Sequence, residues 1–284
     1  MTHEGEAMRE FFGLSSDGVG GFTFLREADG AWSWQHILQV SFFLVLMFAL
    51  AILFGRRYRD KSPREKNKVL IASAILIDSF ELVKIIVLCI RSQTIEKILY
   101  VLPLFLCSIQ LIAIPMAAFC KGRIKEACLD FVLTFGILGA IFGTVGATQN
   151  YGSYPAFSMD NVFSAITHSI SGFASLYIAI SGMISLKKKN FVITTAILLS
   201  FSVMAYVANL LLDYNYMFLM HHDGTPYSIF YNMVGGSPIL YPLVVVGIFV
   251  IYLFLFYFIY GKIKAKRDGD RDGDSAEQKQ TATV

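Results

Sequence analysis

Residues 37–68 read ILQVSFFLVLMFALAILFGRRYRDKSPREKNK. From Ile37 to Gly55 no charge interrupts the apolar run, and from Arg56 to Lys68 seven of the next residues are Lys or Arg. A hydrocarbon core about 30 Å thick takes about 20 helical residues to cross. An uncharged run of that length, ending in a dense basic segment, reads as a membrane span with its following loop on the cytoplasmic side. Six further apolar stretches follow, at 69–90, 98–119, 128–147, 162–185, 190–213 and 239–260. They lack the strict alternation of barrel strands, and only helices or closed barrels satisfy the backbone in lipid. The expected fold class is therefore all-α, a polytopic membrane protein with seven transmembrane helices. Residues 1–36 form an N-terminal segment, 37–260 the seven-helix domain, and 261–284 a basic tail expected to be disordered.

Charge placement sets the expected orientation. Most of the 24 basic residues sit in four segments: 56–68, 121–125 (Lys121, Arg123, Lys125), 187–189 and the tail from Lys262 onward. The intervening connections hold only Arg9, Arg26, Arg91 and Lys97, and Lys84 falls within a span. The positive-inside rule then places the N-terminus outside and the C-terminus in the cytoplasm, an alternation that seven spans fit. The chain is 55% hydrophobic and 16% charged over 284 residues, which leaves no room for a separate soluble domain. Basic runs beside spans read as topology signals or contacts with anionic headgroups, so membrane lipid is the expected partner and nucleic acid is not. The first 35 residues carry Glu4 and Glu6 and lack the basic-then-apolar order of a signal peptide. Trp32 and Trp34 stand where an interfacial anchor belongs.

The four cysteines are scattered, and no CxxC or HExxH spacing occurs, so neither a disulfide framework nor a metal site is expected. No cofactor motif is present. Function must be sought in polar groups within the spans, which are costly there. The second stretch carries Asp78, Glu81 and Lys84 at spacings of three, on one helix face. Glu81 and Lys84 can neutralise each other and leave Asp78 to seek another helix, or the carboxylates can mark a site. In the third stretch Cys107 and Gln110 share a face, with Pro103 and Pro115 loosening the helix. The fifth holds Thr167 and His168, and the sixth ends in Asn209, Asp213, Tyr214 and Asn215. A histidine in lipid either bonds a neighbouring helix or relays protons.

Rise per residue brings these positions to one depth. Cys107 lies about 13 Å and His168 about 10 Å below the outer face, Glu81 about 13 Å and Asn209 about 6 Å. A polar cavity opening outward is expected, with no comparable cluster in the cytoplasmic half.

Leu102-Pro103-Leu104-Phe105-Leu106-Cys107-Ser108, His168, Asn215-Tyr216-Met217-Phe218-Leu219, Gly236-Ser237-Pro238 and Tyr241-Pro242 occur in order, with His36 at the start of span one. Together they resemble the YwaF-like bacterial integral membrane proteins, which are similar to the eukaryotic transmembrane protein 164, a phospholipid acyltransferase. A more distant likeness runs to the androgen-induced-gene hydrolases, which use an intramembrane Thr and His. Phe105 stands where the family commonly has a histidine or other polar residue. The resemblance implies a multi-pass protein of the bacterial cytoplasmic membrane that performs acyl transfer or ester hydrolysis on a lipid. It implies His168 as general base, Cys107 or Thr167 as nucleophile, and Asn209 and Asn215 as oxyanion donors. Glu81, Asp78, Gln110 and His36 would line the cavity. Two other classes fit the same residues. Asp78, Glu81 and His168 could relay protons in a transporter or channel, although no internal repeat is present. A non-catalytic lipid receptor is the third, whereas a retinal protein lacks the lysine it needs within 239–260.

Overall fold

A computed structural model describes the backbone of residues 3–281 and the side chains of residues 4–266. The chain runs α1 (His3–Phe12), a short hairpin of β1 (Ser15–Ser16) and β2 (Phe22–Thr23), then α2 (Trp34–Tyr58) and α3 (Pro63–Ser92). A 3-10 turn (Ile95–Tyr100) leads to α4 (Gln110–Phe119), α5 (Gly122–Val145), the short α6 (Thr148–Ser153), α7 (Met159–Ile180) and α8 (Lys188–Leu212). A second 3-10 turn (Tyr216–Phe218), α9 (Ser228–Met233) and α10 (Leu240–Thr281) complete it. The tail expected to be disordered, 261–284, is instead described as far as Thr281 as the last part of α10.

Among the described residues, five helices are long and apolar enough to cross a membrane: α2, α5 with α6, α7, α8, and α10 as far as Lys266. α3, at 30 residues, is longer than α2, α7 or α8 but carries Asp78, Glu81 and Lys84. It starts at a capping box, Ser62 and Glu65 bonding each other's backbone N–H, with Pro63 in the first turn where its missing donor costs nothing. The stretch 98–119 differs from the continuous helix its hydropathy predicts. It is a 3-10 turn, an irregular run over 101–109, and a helix of ten residues, about 15 Å long. Pro103 supplies no N–H and forces Leu102 out of helical geometry, so the ladder cannot pass through it.

α5 lies at the centre. Every residue from Ala127 to Gly136 is buried, the pattern of a helix enclosed on all sides. It packs most closely on α7, because small residues let the backbones approach. A Cβ at Gly136 would stand 2.8 Å from the Ser171 carbonyl, and Ser175 Oγ donates to the Leu133 carbonyl at 2.7 Å. α2 and α3 also pack on α7, α4 fits between α3 and α5, and α8 and α10 close the other side. α2, α8 and α10 turn Phe42, Leu53, Val203, Leu210, Leu243 and Phe254 outward. Lipid is the solvent for such a surface.

The N-terminal segment folds back over the ends of α3 and α7. The Glu10 carboxylate accepts from Leu25 N, Arg26 N and Ser15 Oγ at 2.9–3.0 Å. Beneath it Arg91 on α3 forms a bidentate pair with Asp160 on α7, both bonds 2.7 Å, its guanidinium against the rings of Phe24 and Tyr154.

The expectation that the half carrying the basic loops lacks a polar cluster is corrected. Asp130 on α5, fully buried, accepts from Leu186 N at 2.7 Å, Tyr257 Oη at 2.8 Å and Asn190 Nδ2 at 3.3 Å. A carboxylate there ties α5, α8 and α10 together. Hydropathy missed it because a single Asp leaves the average of span 128–147 apolar.

Candidate functional site

The irregular run before α4 makes a helix start inside the bundle. Ile109 N bonds the Phe105 carbonyl and Ala113 N the Ile109 carbonyl, so helical bonding begins at Phe105. The N–H groups of Phe105, Leu106 and Ser108 therefore find no acceptor among the described residues, and that of Cys107 turns toward its own sulfur. Cys107 thus sits in the first turn of a helix, beside unpaired donors and the positive end of its dipole.

The His168 imidazole and the Ser108 hydroxyl are the polar side chains near enough to the Cys107 thiol to act on its charge. Both Cys107 and His168 are half-buried. His168 Nδ1 donates to the Ser164 carbonyl one turn earlier on α7, at 2.7 Å. That bond fixes the tautomer and leaves Nε2 as the basic nitrogen. α5 provides the seat through two glycines one turn apart. A Cβ at Gly139 would stand 3.2 Å from that of Cys107, and one at Gly143 would overlap the His168 ring. Lys84 is within electrostatic reach of His168, and its ammonium pairs with Glu81 at 2.7 Å. α3, α4, α5 and α7 thereby converge on one point.

The loop between α8 and α10 supplies the remaining wall. Tyr216 Oη donates to the Leu99 carbonyl at 2.6 Å and accepts from Leu102 N at 3.2 Å, pinning the run that carries Cys107. Asn209 holds Tyr216 in turn, accepting from its N–H at 2.6 Å and donating to its carbonyl at 3.0 Å. Phe105 fits among Tyr214, Tyr216 and Phe218 as an aromatic anchor. Asp213, Met217 and Phe218 hold positive φ values of 49–55°, a strained turn that these contacts over-determine. Tyr227, half-buried in the same loop, is within electrostatic reach of the Cys107 sulfur, and burial pushes its phenol up to about 12.

The residues singled out from the sequence divide accordingly. Cys107, His168, Glu81 and Gln110 are on the elements that meet here. The Gln110 side chain is fully buried one turn beyond Cys107, and neither its oxygen nor its nitrogen has a partner among the described residues. Thr167 Oγ1 donates to the Ser164 carbonyl at 3.0 Å, bonded to its own helix. Asn209 is engaged by Tyr216, and Asn215 by Met220 N, the His221 carbonyl and Asp223. His36 is buried at the N-terminal end of the bundle, stacked on Tyr151 at 3.8 Å, with Nδ1 accepting from Trp32 N and Nε2 facing the Thr144 carbonyl. Asp78 is exposed on α3, one turn from Glu81. Sequence reasoning missed Ser164, Gly139, Gly143 and Tyr227, and held Tyr216 only as part of the 215–219 motif. The spacing of Ser164 four residues before His168 was the one available signal.

The model of the TMEM164 family matches residues 31–260. The chain belongs to the TMEM164 family. The match spans α2 through the apolar part of α10, so every residue of the Cys107–His168 cluster lies in the TMEM164-family region, and α1 with the hairpin lies before it. Family and apolar helices together make this an integral, multi-pass membrane protein. No curated protein and no solved structure matches the chain.

Proposed function

We propose that this TMEM164-family protein transfers or hydrolyses the acyl chain of a membrane lipid, with Cys107 as nucleophile and His168 as general base. The observation that carries the reading is the seating of Cys107 and His168 one turn apart along α5, against Gly139 and Gly143, with one imidazole nitrogen already bonded to a backbone carbonyl. Nucleophile, base and orienting group are the three parts such chemistry needs. Nε2 takes the thiol proton as the sulfur attacks the ester carbonyl. The tetrahedral oxyanion faces the unpaired amides at the start of α4, where one donor is worth about 3 kcal/mol. The C–O bond then breaks, the departing alcohol takes the proton from His168, and the acyl chain stays on sulfur as a thioester. A lysophospholipid hydroxyl, or water, attacks that thioester with the same base assistance. Cys107 is preferred to Thr167 because the Thr167 hydroxyl is bonded back to α7.

In this reading the chain crosses the bacterial cytoplasmic membrane seven times, α3 and the broken Ile95–Phe119 segment adding to the five apolar helices. The N-terminus is outside, the site is in the outer half, and substrate enters laterally. The test is mass spectrometry of purified protein incubated with a diacyl phospholipid and a lysophospholipid. Wild type is expected to give acyl-exchanged lipid or free fatty acid and a hydroxylamine-labile acyl adduct on Cys107. Cys107→Ala and His168→Ala should lose both. Full turnover in either folded variant would overturn the assignment.

A further inference from the structure

At the opposite end of α5 a cavity of about 760 Å³ opens between the first turns of α3 and α5 and the loop joining α7 to α8. Its rim carries Arg64, Lys66, Lys68 and Lys125, and its inner wall is Ile71, Leu129 and Met183. The lining includes one acid, Glu126, and that carboxylate is already engaged by Lys187 and Asn190. Lys66 uses one ammonium donor on the Ser181 carbonyl at 2.7 Å and Lys125 one on Asn67, leaving two donors on each. α5 begins there without a side-chain cap, so its first amides add to the positive field. Leu129 and Gly139 are ten residues apart, so this cavity is about 15 Å along α5 from Cys107.

We propose that this cavity is a second lipid site, which binds the phosphate of an anionic amphiphile at its rim and lays the acyl chain against Ile71, Leu129 and Met183. Four cations around a mouth with no free acid select a phosphate. The apolar wall, packed on the hydrophobic core of the bundle, selects a ligand that carries a chain. A soluble phosphate would satisfy the rim and leave that wall bare. The site is independent of acyl-transfer chemistry at Cys107, and its occupancy does not require turnover.

Native mass spectrometry of the full chain released from nanodiscs tests this, with phosphatidylglycerol and phosphatidylcholine in equal amounts. Wild type should retain phosphatidylglycerol selectively. Arg64→Gln/Lys68→Gln, both exposed, should retain it at least about tenfold less, the consequence of removing two cations near a phosphate. Lys262→Gln/Lys264→Gln removes the same charge near the same end but outside the cavity, and should leave retention unchanged. Ile71→Trp, which fills the inner wall and alters no charge, should also abolish retention. Equal retention of the two lipids by wild type would overturn the proposal. Equal loss in both double variants would do so too, since it would reduce the effect to general surface charge. Displacement of the lipid by millimolar inorganic phosphate, with no loss in Ile71→Trp, would assign the rim to a soluble phosphate and overturn the amphiphile.

Discussion

Gly143 and Tyr216 are the two positions where one atom decides the site. Gly143 has no side chain because the His168 ring occupies that space. Gly143→Ala should displace the ring from Cys107 and cost about 1–3 kcal/mol of stability. Lipid turnover should fall far more than the melting temperature, and unchanged turnover would show that ring placement does not matter. Tyr216→Phe keeps the ring among Phe105 and Tyr214 but removes the hydroxyl that bonds Leu99 and Leu102. With the run before α4 released, kcat should drop while the helical content by circular dichroism stays the same. Neither role was legible beforehand, although Tyr216 stood within the 215–219 motif. Glycine in an apolar helix reads as packing and tyrosine near a loop as an interfacial residue, until a partner from a remote helix is seen against them.

At the scale of elements, the N-terminal cap has a pH dependence set by Glu10. Burial opposes its charge, but donors from Leu25 N, Arg26 N and Ser15 prevail and hold the carboxyl below its ordinary value of 4.5. A depressed folded value means the group's stabilisation is fully present above pH 4.5 and is lost as pH falls through the folded value. Hydrogen-exchange protection of residues 4–31, taken relative to the intrinsic rate at each pH, should therefore fall on acidification below that point, with the bundle unaffected. Glu10→Gln should show fast exchange at neutral pH and little further response to acid. The broken segment 98–119 is the other lesson at this scale. Its apolar composition announced a span, while Pro103 and the contacts of Tyr216 divide it and create the helix start on which Cys107 sits. A hydropathy average cannot register a missing N–H.

For the whole molecule the prediction concerns topology. The basic loops 56–68, 121–125 and 187–189 cluster at one end, and the N-terminal cap and the loop between α8 and α10 at the other. A single cysteine placed at Lys188 in a background lacking the native four should resist an impermeant maleimide in sealed right-side-out vesicles. One placed at His222 should react. The reverse pattern would invert the proposed seven-span arrangement and move the Cys107 site to the other leaflet, and equal labelling would overturn that arrangement.

Sequence alone determined the membrane class, the end that carries the basic loops, and the helices that hold His168 and the Glu81–Lys84 pair. These follow from length, polarity and charge, which act locally and leave a one-dimensional trace. Tertiary structure decided which groups meet. It seated Cys107 and His168 one turn apart along α5, turned Asn209 and Asn215 to the backbone of their own loop, left Asp78 exposed on α3, and placed buried Asp130 at the basic end. Those outcomes depend on helix rotation and on close approach over glycine. Rotation is fixed only when all the helices pack together, because each helix taken separately is apolar on nearly every face.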